Sequence, residues 1–399
     1  MAEWREVKLG DVVEIRRGAS PRPIHHFLSD AGMPWVKIAD ATSDDSRYIT
    51  NTNEYIKEEG IGHSVTVEPE TLIVSNSATP GLPKIMKIKA CVHDGWLVFS
   101  NYKGIIRDFL YYKFKEIQRS LVNQANGSVF QNLKTDIVRE FPISLPPLEV
   151  QRKIAGVLGA LDDKIELNNR INQNLELQSS ILYEDYIKKY KEKEINVGDI
   201  SITANTGADA IRKAPIVDYD TGIKCVRVGD MSNKRSYLDW GYTKVTEDIF
   251  SQYQLKKDDI VITRTASLGL NTIISKDLNA VYNNGLIRLT IDREKVIPLL
   301  VYRQFQTVDF RDYISKIEGE TSVRPNMKIN YLLQYSFPQM DKKKQEKLAY
   351  ILIPMRKEQE QLIEENDRLS TLRDTLLPKL MSGEINVDKV NISKQKDTP

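Results

Sequence analysis

The chain has 399 residues, 41% hydrophobic and 28% charged, which excludes a disordered or membrane-spanning polymer and is too long for one ordinary core, so two or three domains are expected. A formal net charge of +2 points to no partner by itself; any basic surface must come from how the charges are distributed. Cys91 and Cys225 are too few for a disulfide framework, have no metal-like spacing, and read as core thiols of a reducing cytosol. The opening Met-Ala-Glu-Trp-Arg-Glu carries no apolar leader, and no run has the length of a membrane span, so the expectation is a cytoplasmic protein without membrane contact.

Along the chain, short runs of β-branched and aromatic residues bounded by Gly, Pro, Asp and Asn predict strands at 12–16, 35–38, 71–75 and 96–100. A helix is predicted over 105–123, with Phe109, Tyr112 and Ile117 on one face. Leu145-Pro146-Pro147 closes this part and opens a long helix, with proline at a tolerated first-turn position. That helix carries a heptad ladder of Ile154, Leu161, Asn168, Leu175 and Leu182, helped by Leu158, Ile165 and Tyr186. Strands follow at 200–203, 225–228, 259–263 and 286–291, then a helical stretch at 295–317. A second ladder closes the series: Leu348, Met355, Leu362, Leu369 and Leu376, each 194 positions after a member of the first.

The repeat is therefore internal and twofold. Leu9-Gly10-Asp11-Val12 returns as Val197-Gly198-Asp199-Ile200, 32–40 as 222–230, 67–81 as 255–269, and 90–98 as 280–288. The fold class expected is α+β: two similar globular domains, each followed by a long helix, the two helices packing on each other as a coiled-coil-like pair, with an internal pseudo-twofold repeat. The boundaries are 1–146, 147–192 (helical), 193–340, 341–385 (helical) and a frayed polar tail at 386–399. Pro354, and Ala160 beside Gly159 in the first copy, predict a bend that splits each helical region, at 147–159 then 161–190 and at 341–353 then 355–378. Asn168, Asn172, Ser179, Gln359, Asn366 and Arg373 interrupt the apolar stripes. They either set register at a cost in stability or contact a second protein.

No phosphate loop, dinucleotide fingerprint, nucleophile elbow or zinc spacing is present, the last judged on His25, His26, His63 and His93. This pattern favours a binding protein with no catalytic residue and no metal. Two loops per half are candidates for nucleic acid. The first offers Ser75, Asn76, Ser77 and Thr79, matched by Thr263, Arg264, Thr265 and Ser267; the second offers Gln131 and Asn132, matched by Arg324, Asn326 and Lys328. Hydroxyls, amides and arginine hydrogen-bond phosphates and base edges; the alternative is a turn whose hydroxyls satisfy its own backbone. Arg22, Lys37, Lys84 and Lys103 in the first half, and Arg227 and Arg288 in the second, are the cations assigned to a DNA-facing surface.

WREVKLGDVVEIRRGASP at the start, PLEVQRKIAGVLGALDDKIELNN after the first domain, and KQEKLAYIL with LRDTLLPKLMSGEI after the second resemble the specificity subunits of Type I restriction–modification systems across nearly the whole chain. The resemblance implies two target-recognition domains, each reading one half of a split double-stranded DNA site and separated by a pair of long antiparallel helices. It also implies two methylation subunits that bring S-adenosylmethionine, so that this chain holds no cofactor, and restriction subunits in the full complex. Subunit docking and helix pairing then fall to Gln151, Gln345 and the apolar ladder residues with Leu158 and Ile165. A helix of about 30 residues, roughly 45 Å long, would suit half-sites one DNA turn (about 34–36 Å) apart. Two alternatives stay open from the residues: a coiled-coil scaffold that does not read DNA, and a stand-alone DNA-modifying enzyme.

Overall fold

The computed structural model describes residues 4–42, 46–125, 133–207, 216–320 and 326–387. Two compact units emerge, one formed by Met1–Glu166 with Arg368–Pro399, the other by Leu167–Asp367. Each holds one sheet-rich part and a portion of both long helices.

In the first unit, one five-stranded sheet contains the parallel pair Met33–Val36 and Ala90–Val92. A second runs Glu14–Arg17, Trp96–Ser100, Leu72–Ser75, Pro83–Met86, Tyr48–Ile49. Leu72–Ser75 is buried along its whole length, which is why it reads as an apolar run rather than an alternating one. The second unit repeats the plan with four-stranded sheets, Lys224–Val226 parallel to Ala280–Tyr282 and Leu286–Ile291 central to the other sheet. Short antiparallel ribbons close each unit: Arg5–Lys8 with Pro142–Leu145, and Lys193–Asn196 with Ser336–Gln339. The strands predicted at 12–16 and 35–38 are found displaced, at Glu14–Arg17 and Met33–Val36, because Leu9–Val12 and Ile38–Thr42 are helical turns. The helix over 105–123 is found at Arg107–Ala125; its later counterpart is two helices, Pro298–Gln304 and Val308–Glu320.

The long helices are Leu148–Tyr190 and Lys342–Met381. Neither is interrupted, so the predicted split of each helical region at Ala160 and Pro354 is corrected. Pro354 removes its N–H from the bond to the Tyr350 carbonyl, which ordinarily breaks a helix at a cost of about 3 kcal/mol. Here Pro354 is exposed and Tyr350 is 84% exposed, so water can take the freed carbonyl. On the opposite face Leu348 and Leu352 are buried in the core of the second unit. Packing thus outweighs the local defect.

Ile154 and Leu158 are buried in the core of the first unit with Leu377 and Leu380, and Leu376 packs against them. Leu182 and Met355 pack likewise on the second core, beside Leu348. Leu161, Ile165, Leu175, Leu362 and Leu369 are half-buried. In the second unit polar bonds join the helices. Asn168 is buried and donates to Glu365 Oε2 at 2.8 Å and Asn366 Oδ1 at 2.9 Å; Gln359 donates to the Asn172 carbonyl at 3.3 Å and Glu176 Oε2 at 3.2 Å. As one partner advances from 168 to 176 the other retreats from 365 to 359, so the helices are antiparallel. The register-setting reading of these polar residues is the one the contacts favour. In the first unit Arg373 meets the buried Asp162 at 2.7 Å.

Gln151 and Gln345 have a different use from the one assigned. Both are buried. Gln151 accepts from the Ile106 amide at 2.9 Å and donates to the Gly104 and Pro146 carbonyls; Gln345 accepts from the Ile297 amide at 3.2 Å and donates to the Met340 carbonyl. Each ties the start of its long helix to the backbone just before a second helix, the one that begins at Arg107 or at Pro298, and is committed to that structural role. In the tail, Val387 is buried and Ile385 packs on the first core, so order extends past the expected limit at 386.

Candidate nucleic-acid interface

The loops chosen as candidates are one turn, built twice. The Ser75 hydroxyl donates to the Thr79 carbonyl and accepts from the Leu82 amide at 3.0 Å; the Thr263 hydroxyl donates to the Ser267 carbonyl and accepts from the Leu270 amide at 2.9 Å. Gly81 and Gly269 donate to the carbonyls of Ser75 and Thr263 at 2.8 and 3.0 Å, with φ of +80° and +78°, where glycine avoids the Cβ penalty. Ser75, Asn76 and Thr263 are buried. Their hydroxyls and amide build the turn, so the self-satisfying reading holds for them.

The turn fixes what surrounds it. Asn76 and Arg264 each donate a backbone N–H to the glycine of a hairpin tip, Gly95 or Gly285, at 2.8 Å in both copies. Each also accepts, from Leu133 or Met327, at 2.8 Å. The first candidate loop, the hairpin and the chain leaving the second candidate loop therefore converge in each unit. Asn76 Nδ2 reaches the Asp94 carbonyl at 3.0 Å. Arg264 reaches the Asn284 carbonyl at 3.2 Å and Asn326 Oδ1 at 2.8 Å, and Thr265 bridges Asn326 through the backbone. Ser77 and Thr265 border the hairpin glycines, each 2.8–2.9 Å from where a Cβ would stand. Thr79, Ser267 and Lys328 are exposed. Gln131, Asn132 and Arg324 lie outside the described residues.

Lys37 and Arg227 end the parallel strands directly beside these hairpins, since Val36 pairs with Val92 and Val226 with Tyr282. Both backbone amides are capped by an aspartate three residues on, Asp40 at 2.7 Å and Asp230 at 2.9 Å. Their side chains pair with Glu54 and Asp230. Arg22 is 79% exposed and meets Asp94 at 3.3 Å.

Three assigned cations are not at this site. Lys84 is buried and donates to the Ser46 carbonyl. Arg288 is buried, donates to the Gln254 carbonyl at 2.9 Å and lies over the Tyr282 ring. Lys103 is exposed but follows the end of the strand pair where Ser100 faces Glu14, opposite the end where Leu97 faces Arg17.

The hairpin tips are not among the residues that the sequence singles out, although 90–98 and 280–288 repeat; the signal for them is the turn sequence His-Asp-Gly answered by Asn-Asn-Gly. Asp94 gathers Ser20 at 2.9 Å, Arg17 at 3.4 Å and Arg22. Partial burial works to raise its carboxyl, but the Ser20 hydrogen bond and the Arg17 charge outweigh it and hold the group below the usual carboxylate range. Burial pushes the neighbouring His93 imidazole down, against the pull of Asp94. Its Nδ1 accepts from the Gly95 amide at 2.8 Å. Hydrogen-bonding groups of both polarities around a rigid tip suit recognition of base edges and phosphates. Among the described residues, no three His, Cys, Asp or Glu side chains are gathered as metal ligands would be, and no helix is long and apolar enough to cross a membrane.

A sheet-rich unit with a convergent polar tip, duplicated in one chain and joined to long antiparallel helices, defines a class of internally duplicated α+β proteins. Residues 1–177 match the family model of the Type I restriction modification DNA specificity domain. The chain is 24% identical to the Type I restriction enzyme MjaIX specificity subunit of Methanocaldococcus jannaschii, over 97% of this chain and 95% of that one. It is 22% identical to the MjaVIII specificity subunit of the same organism, over 98% and 94%. Its fold is that of the crystal structure of a Type I restriction–modification S subunit from M. genitalium, at a TM-score of 0.58 and 15% identity, over 95% of this chain and 96% of that one. Residues 1–177 thus match the specificity domain of this family, and the chain is similar to Type I specificity subunits along nearly its whole length.

Proposed function

We propose that this chain reads a bipartite double-stranded DNA target, one half-site per sheet-rich part, within a Type I restriction–modification complex. One observation carries the reading: the two turn-and-hairpin frames share the backbone bonds from turn to hairpin glycine and from the second loop to the turn, while the side chains mounted on them differ, Asn76 against Arg264, Asp94 against Asn284, Ser77 against Thr265. A constant frame with exchanged polar groups is what two different half-sites require. The chain is non-catalytic; adenine methylation, with its S-adenosylmethionine, belongs to two methylation subunits, and cleavage to restriction subunits, all in the cytoplasm. Docking on the helices is supported by apolar side chains left exposed there, Leu177 and Ile181 one turn apart, and Tyr350 and Ile353. These replace Gln151 and Gln345 as contact residues.

Co-expression with the methylation subunit, followed by genome-wide mapping of methylated adenines, tests the reading. A two-part motif with a constant gap is expected. Removing one heptad from each long helix should alter that gap or abolish methylation; an unchanged motif would refute the helices as spacer. Methylation of DNA by the purified chain alone would refute its non-catalytic role.

A further inference from the structure

Both hairpin tips receive a guanidinium, but from different parts of the scaffold. In the first unit it comes from Arg17, at the end of strand Glu14–Arg17, whose Nε donates to the Asp94 carbonyl at 2.7 Å. In the second unit it comes from Arg264 of the turn, whose Nη1 donates to the equivalent carbonyl, that of Asn284, at 3.2 Å. The correspondence is set by register. Arg17 pairs with Leu97 and Thr206 with Ile287, so Arg17 and Thr206 hold the same place. Asn76 and Arg264 hold the same place in the turn, each donating its amide to the hairpin glycine at 2.8 Å. Where the strand supplies arginine the turn supplies asparagine, and where the turn supplies arginine the strand supplies threonine.

The glycine after each strand position makes this possible. A Cβ on Gly18 would lie 2.2 Å from the His93 carbonyl oxygen, and one on Gly207 only 1.8 Å from that of Tyr282. The strand end therefore lies directly against the hairpin backbone in both copies, within side-chain reach of the tip. A carbonyl needs no arginine to be satisfied: in the first unit Asn76 Nδ2 already donates to the Asp94 carbonyl, at 3.0 Å. Arg17 is added to a group that has a donor, and its side chain stays 55% exposed. The Asp94 carboxylate also holds Arg22. Arg17, bonded to Asp94 alone, keeps further N–H donors in a planar fork, the geometry that matches guanine O6 and N7 or a phosphate. Arg264 donates from Nε to the Met327 carbonyl at 3.2 Å, from Nη1 to Asn284 and from Nη2 to Asn326, and offers the N–H groups that these bonds leave over.

We infer that Arg17 and Arg264 are matched DNA-contacting residues, one for each half-site, delivered to the same point of the frame from exchanged positions. The inference rests on the bipartite reading above and adds residues to it. The test uses the full chain with its methylation subunit and maps methylated adenines for R17A, R264A and, as a control, R16A. Arg16 is exposed on the same strand but is not hydrogen-bonded to the tip.

R17A should relax or abolish selection in one half of the motif only, R264A in the other half only, with cognate binding weakened roughly tenfold or more; R16A should leave both halves unchanged. If R17A and R264A affect the same half, or neither, while the unaltered complex gives a two-part motif, the inference is overturned. If the unaltered complex gives no two-part motif, the bipartite reading itself falls and takes the inference with it. Thermal unfolding identifies an alanine variant that fails to fold. R17K and R264K then decide, because lysine keeps the charge but not the fork: loss of selection in opposite halves supports the inference, and retained selection overturns it.

Discussion

Arg47→Met is the sharpest perturbation of how the first sheet-rich part is held to its helix. Arg47 has a side chain only 9% exposed; it bonds Glu166, itself 11% exposed, at 3.1 Å and the Tyr112 hydroxyl at 3.4 Å, and it pairs with Asp163. Tyr112 in turn donates to Asp162 at 2.7 Å, and Asp162 meets Arg373. Removing one partner of a buried pair costs roughly 3–5 kcal/mol, while the link to Asp163, whose side chain is 70% exposed, adds less than about 1 kcal/mol. Methionine keeps much of the stem packing, and Glu166 can limit the damage by taking up a proton. The expected loss is therefore about 3 kcal/mol, near 100-fold in the folded-to-unfolded ratio.

The loss should depend on pH. Burial pushes the Glu166 carboxyl up, and Arg47 only partly opposes it. A carboxyl raised in the folded state destabilises the fold once ionised, so its stability contribution falls as pH rises from the ordinary carboxylate range through the raised value. Without Arg47 the value rises further. The deficit should then be small at acid pH, where Glu166 is protonated in both proteins, and grow as pH increases through and above the carboxylate range. Urea unfolding followed by circular dichroism at several pH values measures this, with Arg47→Met/Glu166→Gln recovering part of the loss. A deficit below about 1 kcal/mol at neutral pH, or one indifferent to pH, would refute the reasoning.

Leu158→Ala should cost about 2–5 kcal/mol, since Leu158 is fully buried in the first core; the urea midpoint reads it. Asn168→Ala strips the donor from Glu365 and Asn366 in the second unit and should cost about 1–3 kcal/mol, with faster amide exchange across 165–175 as its signature.

The parts of this fold that were legible in the sequence are those set by periodicity. The ladder residues Ile154 and Leu348, and the helper Leu158 one turn after Ile154, lie fully in the cores because each helix presents one apolar stripe. Strand cores such as 72–75 read as apolar runs because both faces are covered. Continuity through Pro354 was not legible, because it depends on which side of the helix faces water. The cations misled for a related reason: composition treats Lys84, Arg288 and Lys103 alike, whereas tertiary packing buries two and sets the third at the far end of its strand. Gln151 and Gln345 looked like surface amides, although recurrence at the same step of each helix start was a cue to a structural bond. The hairpin tips escaped because three-residue turns have no period, and their importance appears only once the turn, strand end and hairpin are brought together.

The glycines after the strand ends offer a test of that convergence from the backbone side. At Gly18 the incoming Cβ would stand 2.2 Å from one main-chain oxygen and 2.9 Å from another, those of His93 and Val92; at Gly207 it would stand 1.8 Å from the Tyr282 oxygen. No side chain can rotate away, because the obstacles are carbonyls of a strand and its hairpin, so Gly18→Ala and Gly207→Ala must push the strand end off the tip. Forced overpacking of this kind costs about 1–3 kcal/mol, too little to unfold a domain of ordinary stability. The variants should fold, with a lowered melting temperature, yet lose methylation at cognate sites because the polar groups at one tip no longer hold their spacing. Misplacement by about 1 Å is enough to spoil such a constellation. Full cognate methylation by both folded variants would mean that the tips tolerate movement, and that the frame shared by the two copies is a feature of stability rather than of recognition.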